Sequence, residues 1–372
     1  MKWALKIGQL AGIAVYVHVT FGLLLAWIAM VAWQAEQSVA AVIVAIAFIL
    51  ALFGCIVLHE LGHALTARRF GIQTRDITLL PIGGLARLER MPEKPGQELL
   101  VALAGPAVNL AIAVLLGGAL YLTGSWDAEA GMSAMAGPFV QRLVAVNVII
   151  MVFNLLPAFP MDGGRALRAV LASRMDYVAA TQVAANVGQA MALFFALIGL
   201  LANPFLLFIA LFVWIGAAAE SGMVQVKAAL GGIPVARAML TNFKTVSPED
   251  RLSHAVQLTL SGSQKDFPVV DRGTLRGLLT QEGLLSGLAS EGEAGRVASA
   301  VEDGVPTADS HEMLEGVLSR FEGSSSRTIP VTHDGALVGI LTMENVGEFL
   351  KIEAALHDTR QQTGSWAQLL RS

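Results

Sequence analysis

Long uninterrupted apolar runs dominate the chain up to Ala219, whereas charged and apolar residues alternate after Gly231. A helix needs about 20 apolar residues to cross about 30 Å of hydrocarbon. The runs that approach or exceed this length are Leu10–Trp33, Ser38–Leu58, Leu99–Leu122, Leu143–Leu156 and Tyr177–Ala219. The last has room for two helices, because Asn203-Pro204 offers a break between them. The pattern predicts about six transmembrane helices, the fourth being the shortest, followed by a soluble half.

Composition agrees with a membrane protein. Of the 372 residues, 55% are hydrophobic and 15% are charged, and the mean hydropathy is +0.62. A soluble enzyme carries more charge than this. The net charge of -4 and the lack of a basic tract predict no nucleic-acid partner.

Basic residues are distributed unevenly between the two sides of the predicted membrane domain. On the side of the N-terminus lie Lys2, Lys6, Arg68, Arg69, Arg75, Arg87, Arg90, Lys94, Arg165, Arg168, Arg174 and Lys227. The loops at 34–37 and 123–137 on the other side carry none, and Arg142, near the outer end of the fourth run, is the exception. The positive-inside rule therefore predicts a multi-pass protein of a prokaryotic cytoplasmic membrane with both termini in the cytoplasm.

A two-histidine pattern, His59-Glu60-Leu61-Gly62-His63, ends the second apolar run. Residues four apart share one face of a helix, so both imidazoles can bind one zinc ion with Glu60 beside the bound water. Zinc lowers the pKa of that water to about 7, and the carboxylate accepts its proton. The alternative is a pair of polar residues packed against neighbouring helices, but such residues are costly within a bilayer and normally mark a function.

A catalytic zinc usually takes three protein ligands. Asp162 is the best candidate for the third, because it lies at the cytoplasmic end of the fourth run, at the depth predicted for His59 and His63. Prolines and paired glycines break the helix there, as expected where backbone lines a cavity. Alternatively, Asp162 merely caps the helix predicted at Gly163–Leu171.

Two other side chains keep open interpretations. Cys55 lies four residues before His59 and can be either a thiolate ligand or, more commonly for a buried cysteine, a small apolar filler. His18, in the first apolar run, can hydrogen-bond a neighbouring helix or approach the metal.

Three motifs together resemble the site-2 proteases, which are intramembrane zinc metalloproteases. These are the HExxH pattern at His59–His63, an NxxPxxxxDG pattern at Asn154–Gly163 and a GPxxN pattern at Gly105–Asn109. The resemblance covers about 15–221. It implies that His59, His63 and Asp162 bind zinc, that Glu60 is the general base, and that Asn109 and Asn154 hold the substrate or the transition state. It also implies a membrane-anchored protein substrate, cut near the cytoplasmic face.

The segment Gln73–Glu89 has a strand-turn-strand pattern around Pro81-Ile82-Gly83-Gly84, which predicts a β-hairpin. The family has a membrane-associated element of this kind beside its active site. A transmembrane helix hides its own carbonyl groups, so an exposed strand edge here would capture a locally unwound substrate.

The soluble half repeats itself. Phe267-Pro268-Val269-Val270 and Gly277–Glu282 return, at one constant offset, as Ile329-Pro330-Val331-Thr332 and Gly339–Glu344. A duplicated unit of strands and helices resembles a tandem pair of CBS domains. We expect a transmembrane domain at 1–225, CBS domains at 234–295 and 296–354, and a tail at 355–372.

The CBS resemblance implies a regulatory cleft for an adenine nucleotide, with Thr280 and Thr342 as phosphate contacts. The ribose-binding aspartate of that family is replaced here by Gly283 and Asn345, of which only Asn345 can hydrogen-bond a ribose. A homodimerisation module without a ligand is the equal alternative.

The fold class predicted from the sequence is thus a polytopic α-helical membrane domain with a β-hairpin, followed by a soluble α/β CBS pair. The leading functional hypothesis is an intramembrane zinc endopeptidase. The alternative is a CBS-regulated membrane transporter or channel, which would need no general base after the first histidine.

Overall fold

The structure is a computed structural model that describes residues 3–81, 83–92, 94–127, 137–321 and 326–353. The chain divides into two compact units, Met1–Val224 and Gln225–Ser372. The tail predicted at 355–372 lies outside the described residues.

The first unit begins with a four-stranded sheet. Its strands are β1 (Ala4–Leu10), β2 (Ile13–His18), β3 (Thr74–Leu80) and β4 (Gly83–Leu88), in the order β1-β2-β3-β4. Strands β2 and β3 are parallel, and the two outer pairs are antiparallel. The hairpin predicted at Gln73–Glu89 is present as β3 and β4 and forms one half of this larger sheet.

The start of the first predicted helix is wrong, because the segment up to His18 forms strands. Ala11 and Gly12 have φ of 51° and 86°, and two consecutive positive φ angles make the tight turn that suits a hairpin. Alternation of buried Ile13 and Val15 with half-buried neighbours fits a strand better than a helix. Most residues of this segment are apolar, so the two-residue alternation of a strand was not apparent in the sequence.

Seven helices follow among the described residues, and the last of them extends beyond Val224, where the first unit ends. They are α1 (Val19–Glu36), α2 (Val39–Arg68), α3 (Pro95–Leu122), α4 (Phe139–Asn154), α5 (Asp162–Ala172), α6 (Tyr177–Leu201) and α7 (Phe205–Leu230). By length and composition, α1, α2, α3, α6 and α7 are long and apolar enough to cross a membrane. The fourth predicted span is the apolar helix α4, which has only 16 residues. The predicted break at Asn203-Pro204 separates α6 from α7.

Helix α2 is covered by the sheet on one side and by α3 on another. Val15 and Leu79 of the sheet pack with Phe53 and Val57 of α2. On the α3 side, a Cβ added at Gly62 would lie 2.9 Å from the carbonyl oxygen of Ala104. Small residues at such a contact let two membrane helices approach closely, and this approach brings α3 against the histidine face of α2.

The second unit contains two three-stranded sheets. Their strands, in the orders β5-β6-β7 and β10-β9-β8, are β5 (Phe267–Asp271), β6 (Thr274–Leu279), β7 (Glu302–Asp303), β8 (Ala308–Asp309), β9 (Thr328–His333) and β10 (Ala336–Thr342). The helices are α8 (Leu252–Ser261), α9 (Gln281–Glu291), α10 (Leu314–Phe321) and a helix at 343–353.

The duplication seen in the sequence reappears in the packing. One core contains Leu252, Phe267 and Leu279, and another contains their counterparts in the second repeat, Leu314, Ile329 and Leu341. Burying one such side chain completely stabilises the fold by about 1.5–3 kcal/mol. Each repeat therefore has a core of its own.

Candidate active site

Three side chains predicted as zinc ligands meet in the first unit. His59 Nε2 lies 3.2 Å from Asp162 Oδ2, and His63 Nε2 lies 3.1 Å from the same oxygen. The two Nε2 atoms are 3.2 Å apart. All three residues are buried. Three donor atoms from α2 and α5 thus form a nearly equilateral triangle.

The triangle fits a zinc ion. A tetrahedral zinc with bonds of about 2.0–2.1 Å separates its ligand atoms by about 3.3 Å, close to the observed 3.1–3.2 Å. Two imidazoles and a carboxylate are a ligand set that zinc accepts and that magnesium and calcium do not prefer. Three protein ligands also leave one position for water or substrate, as catalytic zinc sites require.

Both histidines are oriented through their other ring nitrogen. His63 Nδ1 lies 2.7 Å from the carbonyl oxygen of Val101 in α3. A carbonyl can only accept a hydrogen bond, so Nδ1 carries the proton and Nε2 keeps its lone pair for a metal. His59 Nδ1 similarly contacts Asn109 Oδ1. Helix α3 therefore sets the tautomer of both candidate ligands.

Asn147 was not singled out by the sequence analysis, yet it continues this hydrogen-bond chain. Asn109 Nδ2 donates to Asn147 Oδ1 at 2.8 Å, and Asn147 Nδ2 donates to the Leu143 carbonyl at 2.8 Å. Both asparagines are completely buried. The signal was an amide in the middle of an apolar helix, because a polar residue within a membrane span is costly unless it has a function.

Asp162 is held in place by the tight start of α5. A Cβ added at Gly163 would collide with the backbone of Leu155 and Leu156. Only glycine allows the first turn of α5 to lie against the loop that follows α4. The carboxylate of Asp162 contacts both histidines, whereas the alternative interpretation made it only a helix cap.

An ion triad buried behind Asp162 ties α5 to two other helices. Arg168 Nε donates to Glu98 Oε1 of α3 at 2.7 Å, and another guanidinium nitrogen donates to Glu220 Oε1 of α7 at 2.7 Å. The guanidinium also stacks on Phe159 and Tyr177. Arg168, counted among the basic residues of a cytoplasmic loop, is in fact only 1% exposed. Its sequence neighbourhood could not reveal partners that lie far away in the chain.

Glu60 lies beside the sheet. Its Oε2 accepts a hydrogen bond from the Ala86 backbone N–H of β4 at 3.3 Å. A Cβ added at Gly84 would lie 2.8 Å from Glu60 Cγ, so β4 passes in contact with this side chain. Because β4 is the last strand in the sheet order, its outer edge faces the candidate general base.

An ion pair fastens β4 to β3. Arg87 Nε donates to Asp76 Oδ1 at 2.9 Å, and its terminal nitrogen contacts Oδ2. The hydrogen bond to Asp76 raises the pKa of Arg87, which stays charged. The two residues are direct cross-strand neighbours, so the pair stabilises the register that places Ala86 next to Glu60.

The remaining candidates of the membrane domain lie in other surroundings. Asn154 donates to the Ile150 carbonyl of its own helix at 3.0 Å. Cys55 is buried and lies outside the group formed by His59, His63 and Asp162. His18 caps α1, where its Nδ1 accepts from the Thr20 N–H.

The candidate nucleotide contacts in the second unit act as helix caps. Thr280 Oγ1 accepts from the Gly283 N–H at 3.0 Å. Thr342 Oγ1 donates to Asn345 Oδ1 at 2.6 Å and accepts from the Asn345 N–H at 3.2 Å. All three side chains remain half-buried and reachable.

Comparison with known proteins identifies both parts of the chain. A family model for peptidase family M50 matches residues 47–136 and 127–198, and a CBS domain model matches 235–290. A zinc metalloprotease of Methanocaldococcus jannaschii is 35% identical over 280 residues, which cover 75% of this chain and 78% of that protein.

Two further proteins are similar to this chain. The Rip3 protein of Mycobacterium tuberculosis is 31% identical over 379 residues, covering 95% of this chain and 94% of that protein. The solved structure of a site-2 protease from Methanocaldococcus jannaschii is 35% identical and covers 59% of this chain and 95% of that one, with a TM-score of 0.43.

The likeness to the M. jannaschii metalloprotease extends over most of both chains. The matched segments include α2, with its two histidines, and α5, with Asp162. Together with five helices long enough to cross a membrane, they show that the chain is a membrane zinc metalloprotease of peptidase family M50, the site-2 proteases, with a CBS region in its C-terminal half.

Proposed function

We propose that this protein hydrolyses peptide bonds of membrane-anchored protein substrates near the cytoplasmic face of the membrane. The observation that carries the proposal is the triangle of His59, His63 and Asp162 donor atoms, with sides of 3.1–3.2 Å. Glu60 follows His59 directly in the sequence. A metal site with an adjacent carboxylate suits hydrolysis, whereas a transport site needs no general base.

In this proposal His59, His63 and Asp162 hold the zinc ion and Glu60 is the general base. Bound zinc supplies a Lewis acid that polarises the scissile carbonyl and lowers the pKa of water to about 7. Glu60 Oε2 accepts the proton of the attacking water and passes it to the leaving amine. The bonds from Val101 and Asn109 keep the two imidazoles turned toward the metal.

We assign the outer edge of β4 to substrate capture. A transmembrane substrate must unwind locally before its carbonyl is accessible, and its freed backbone groups then need new partners. The edge of β4 offers such partners by strand addition. The contact of the Ala86 N–H with Glu60 supports a cleavage site beside this edge. Asn109 and Asn154 remain proposed contacts to the substrate or transition state. In this proposal Asn109 would contact the substrate while its Oδ1 still contacts the His59 ring.

The basic residues support a topology with both termini in the cytoplasm, because the loop at 34–37 and the loop at 123–137 contain no lysine or arginine. With this topology the CBS region at 234–354 is cytoplasmic. We propose that it regulates proteolysis or mediates homodimerisation.

An adenine nucleotide is the proposed ligand of the CBS pair, with Thr280, Thr342 and Asn345 as contacts. Their side chains now cap helices, so a ligand would have to share or replace those bonds. Titration calorimetry of the full-length protein in detergent with ATP, ADP and AMP tests this. A heat of nucleotide binding that is lost in Thr342→Ala supports a nucleotide sensor. If millimolar nucleotide produces no heat of binding, the CBS pair is the dimerisation module without a ligand.

Glu60→Gln tests the proteolytic mechanism. The protein is co-expressed with a panel of single-span substrates, and cleavage products are detected on gels while zinc per chain is measured on purified protein. We expect Glu60→Gln to abolish the product while zinc per chain stays at the wild-type value, with the His59–His63–Asp162 site still occupied. Removing a general base typically lowers the rate by about 10²–10⁴-fold.

The matched control is Glu36→Gln, which changes an exposed carboxylate at the end of α1. This variant should cleave the substrates as wild type does. Cleavage at the wild-type rate by a zinc-loaded Glu60→Gln variant would contradict the mechanism. Absence of product from every substrate, with zinc bound, would instead favour a CBS-regulated transporter or channel.

A further inference from the structure

A second group of metal-ligand side chains lies in the C-terminal unit. Asp309, His311 and His333 each offer one ligand atom, and these atoms lie within 4.8 Å of one another. Asp309 ends β8 and His333 ends β9. The two strands are parallel neighbours, with Asp309 opposite Thr332. The ends of the two strands therefore lie side by side.

Local hydrogen bonds arrange this group. Asp309 Oδ1 accepts from the His311 backbone N–H at 2.8 Å and lies 3.4 Å from His311 Nδ1. An exposed aspartate is ionised at neutral pH, so the carboxylate is available to a cation. The two imidazole rings are 4.8 Å apart between centroids.

Ser310 supports His333 from behind. Its hydroxyl oxygen, in a side chain only 6% exposed, lies 3.1 Å from His333 Nδ1. A hydrogen bond to Nδ1 leaves Nε2 for a metal, which is how ligating histidines are commonly oriented. Asp334 Oδ2 lies 3.7 Å from His333 Nε2, but Asp334 lies outside the group formed by the other three ligand atoms.

The first repeat provides an internal comparison. In the register of the duplication, Asp309, His311 and His333 correspond to Ser247, Glu249 and Asp271. Glu249 is paired with Arg296, and Asp271 is paired with Arg276 at 3.0 Å. The second repeat holds two imidazoles where the first holds two carboxylates neutralised by arginines. The histidine pair is therefore not a requirement of the repeated fold.

We propose that Asp309, His311 and His333 form a second metal site, which binds Zn²⁺ or a similar divalent transition-metal ion. Two imidazoles and a carboxylate favour such an ion over magnesium or calcium. Rotation of the exposed side chains would shorten the 4.8 Å spread to the separation of about 3.3 Å that a tetrahedral ion imposes. Because the ligands are exposed, the site exchanges metal with solvent and joins the ends of β8 and β9 only when the ion is available.

Zinc stoichiometry of the full-length protein tests the proposal. Chelator-stripped protein in detergent is dialysed against buffered free Zn²⁺, and zinc per chain is measured at equilibrium. We expect two equivalents in wild type, one in His311→Ala/His333→Ala, and two in Glu249→Ala/Asp271→Ala, the matched change in the first repeat. His59→Ala/His63→Ala should retain one equivalent, which separates this site from the proposed catalytic one.

The contact between Ser310 and His333 can be tested through the zinc affinity of the second site. Ser310→Ala should weaken the second equivalent by about 10-fold, a typical effect of losing a bond behind a ligating histidine. Two equivalents in His311→Ala/His333→Ala would overturn the proposal, and so would a single equivalent in wild type. Unchanged circular dichroism shows that each variant is folded, and the exposure of His311 and His333 makes that outcome the expected one for His311→Ala/His333→Ala.

Discussion

The residue that connects His59 to the wider structure is Asn147. It receives a hydrogen bond from Asn109, whose carbonyl oxygen contacts the His59 ring, and it donates to the backbone of α4. Every member of this chain has a partner, so the low dielectric around it strengthens the bonds. The orientation of His59, a proposed metal ligand in α2, thus depends on an amide in α4.

Asn147→Ala should weaken zinc binding at the His59 site without touching a proposed ligand. The variant leaves Asn109 free to rotate, and loss of such supporting bonds typically costs about 10–100-fold in metal affinity. Competition with a fluorescent zinc chelator measures the change. Asn186→Ala, which alters an exposed asparagine of α6, is the control. Equal zinc affinity in the two variants would show that Asn147 does not position His59.

At the scale of elements, the distance between α2 and α3 decides whether the metal centre can form. Helix α3 runs directly behind both imidazoles. A Cβ added at Gly105 would lie 2.7 Å from His59 Nε2 and closer still to His63 Nε2, well inside van der Waals contact. The glycine of the GPxxN motif is therefore needed for the space that the ligand nitrogens occupy.

Gly105→Ala should consequently abolish zinc binding at this centre and cleavage with it. The added methyl group must displace either the histidines or the helix, and overpacking of this kind typically costs about 1–3 kcal/mol. Gly118→Ala changes another glycine of α3, around which a Cβ meets nothing within 4 Å, and should behave as wild type. Metal analysis and the gel assay together give the result. Full zinc occupancy in Gly105→Ala would show that α3 does not lie as close to His59 and His63 as the structure places it.

Helix α5 carries Asp162, the proposed third ligand, and ion pairs anchor this helix to its neighbours. Arg168→Met leaves Glu98, a completely buried carboxylate, without its cation. Removing one partner of a buried ion pair costs about 3–5 kcal/mol. We expect a lower thermal midpoint in detergent, and partial recovery when Glu98→Leu is added, because no buried charge then remains between α3 and α5.

Arg174→Gln, at an exposed position just after α5, is the control for charge alone and should leave the midpoint unchanged. If Arg168→Met had the same thermal midpoint as Arg174→Gln, the triad would contribute little to holding α5.

At the scale of the whole molecule, the two units divide the chemistry between them. The first unit holds the proposed catalytic centre among helices long enough to cross a membrane. The second unit holds the duplicated CBS region and the second group of metal-ligand side chains. The sheet of the first unit contains its own edge strand beside Glu60, so catalysis and substrate capture are both proposed within one unit.

Reporter fusions test the proposed orientation of the whole chain. Alkaline phosphatase folds only outside the cytoplasm, so a fusion after Ser125 should be active, and a fusion after Gly232 should be inactive. Green fluorescent protein at the same two positions should give the opposite pattern. Phosphatase activity at Gly232 would place the CBS region on the other side and contradict the orientation inferred from the basic residues.

Local spacing determined several features from the sequence by itself. The interval between His59 and His63 depends only on the helical repeat, so their shared face was predictable. The long apolar helices and the duplication of the C-terminal half also depend on local composition or self-similarity. The hairpin of β3 and β4 was predictable because its strands are neighbours in the chain.

Long-range packing determined the rest. Asp162 reaches His63 across 99 positions, and its role was proposed only through topology and resemblance. The chain from His59 to Asn147 and the triad around Arg168 join helices whose approach depends on small residues such as Gly62 and Gly105. The segment of β2 was predicted as the start of a helix, because both conformations can bury an apolar run. Only its pairing with β1 and β3, which supplies partners for its backbone groups, makes it a strand.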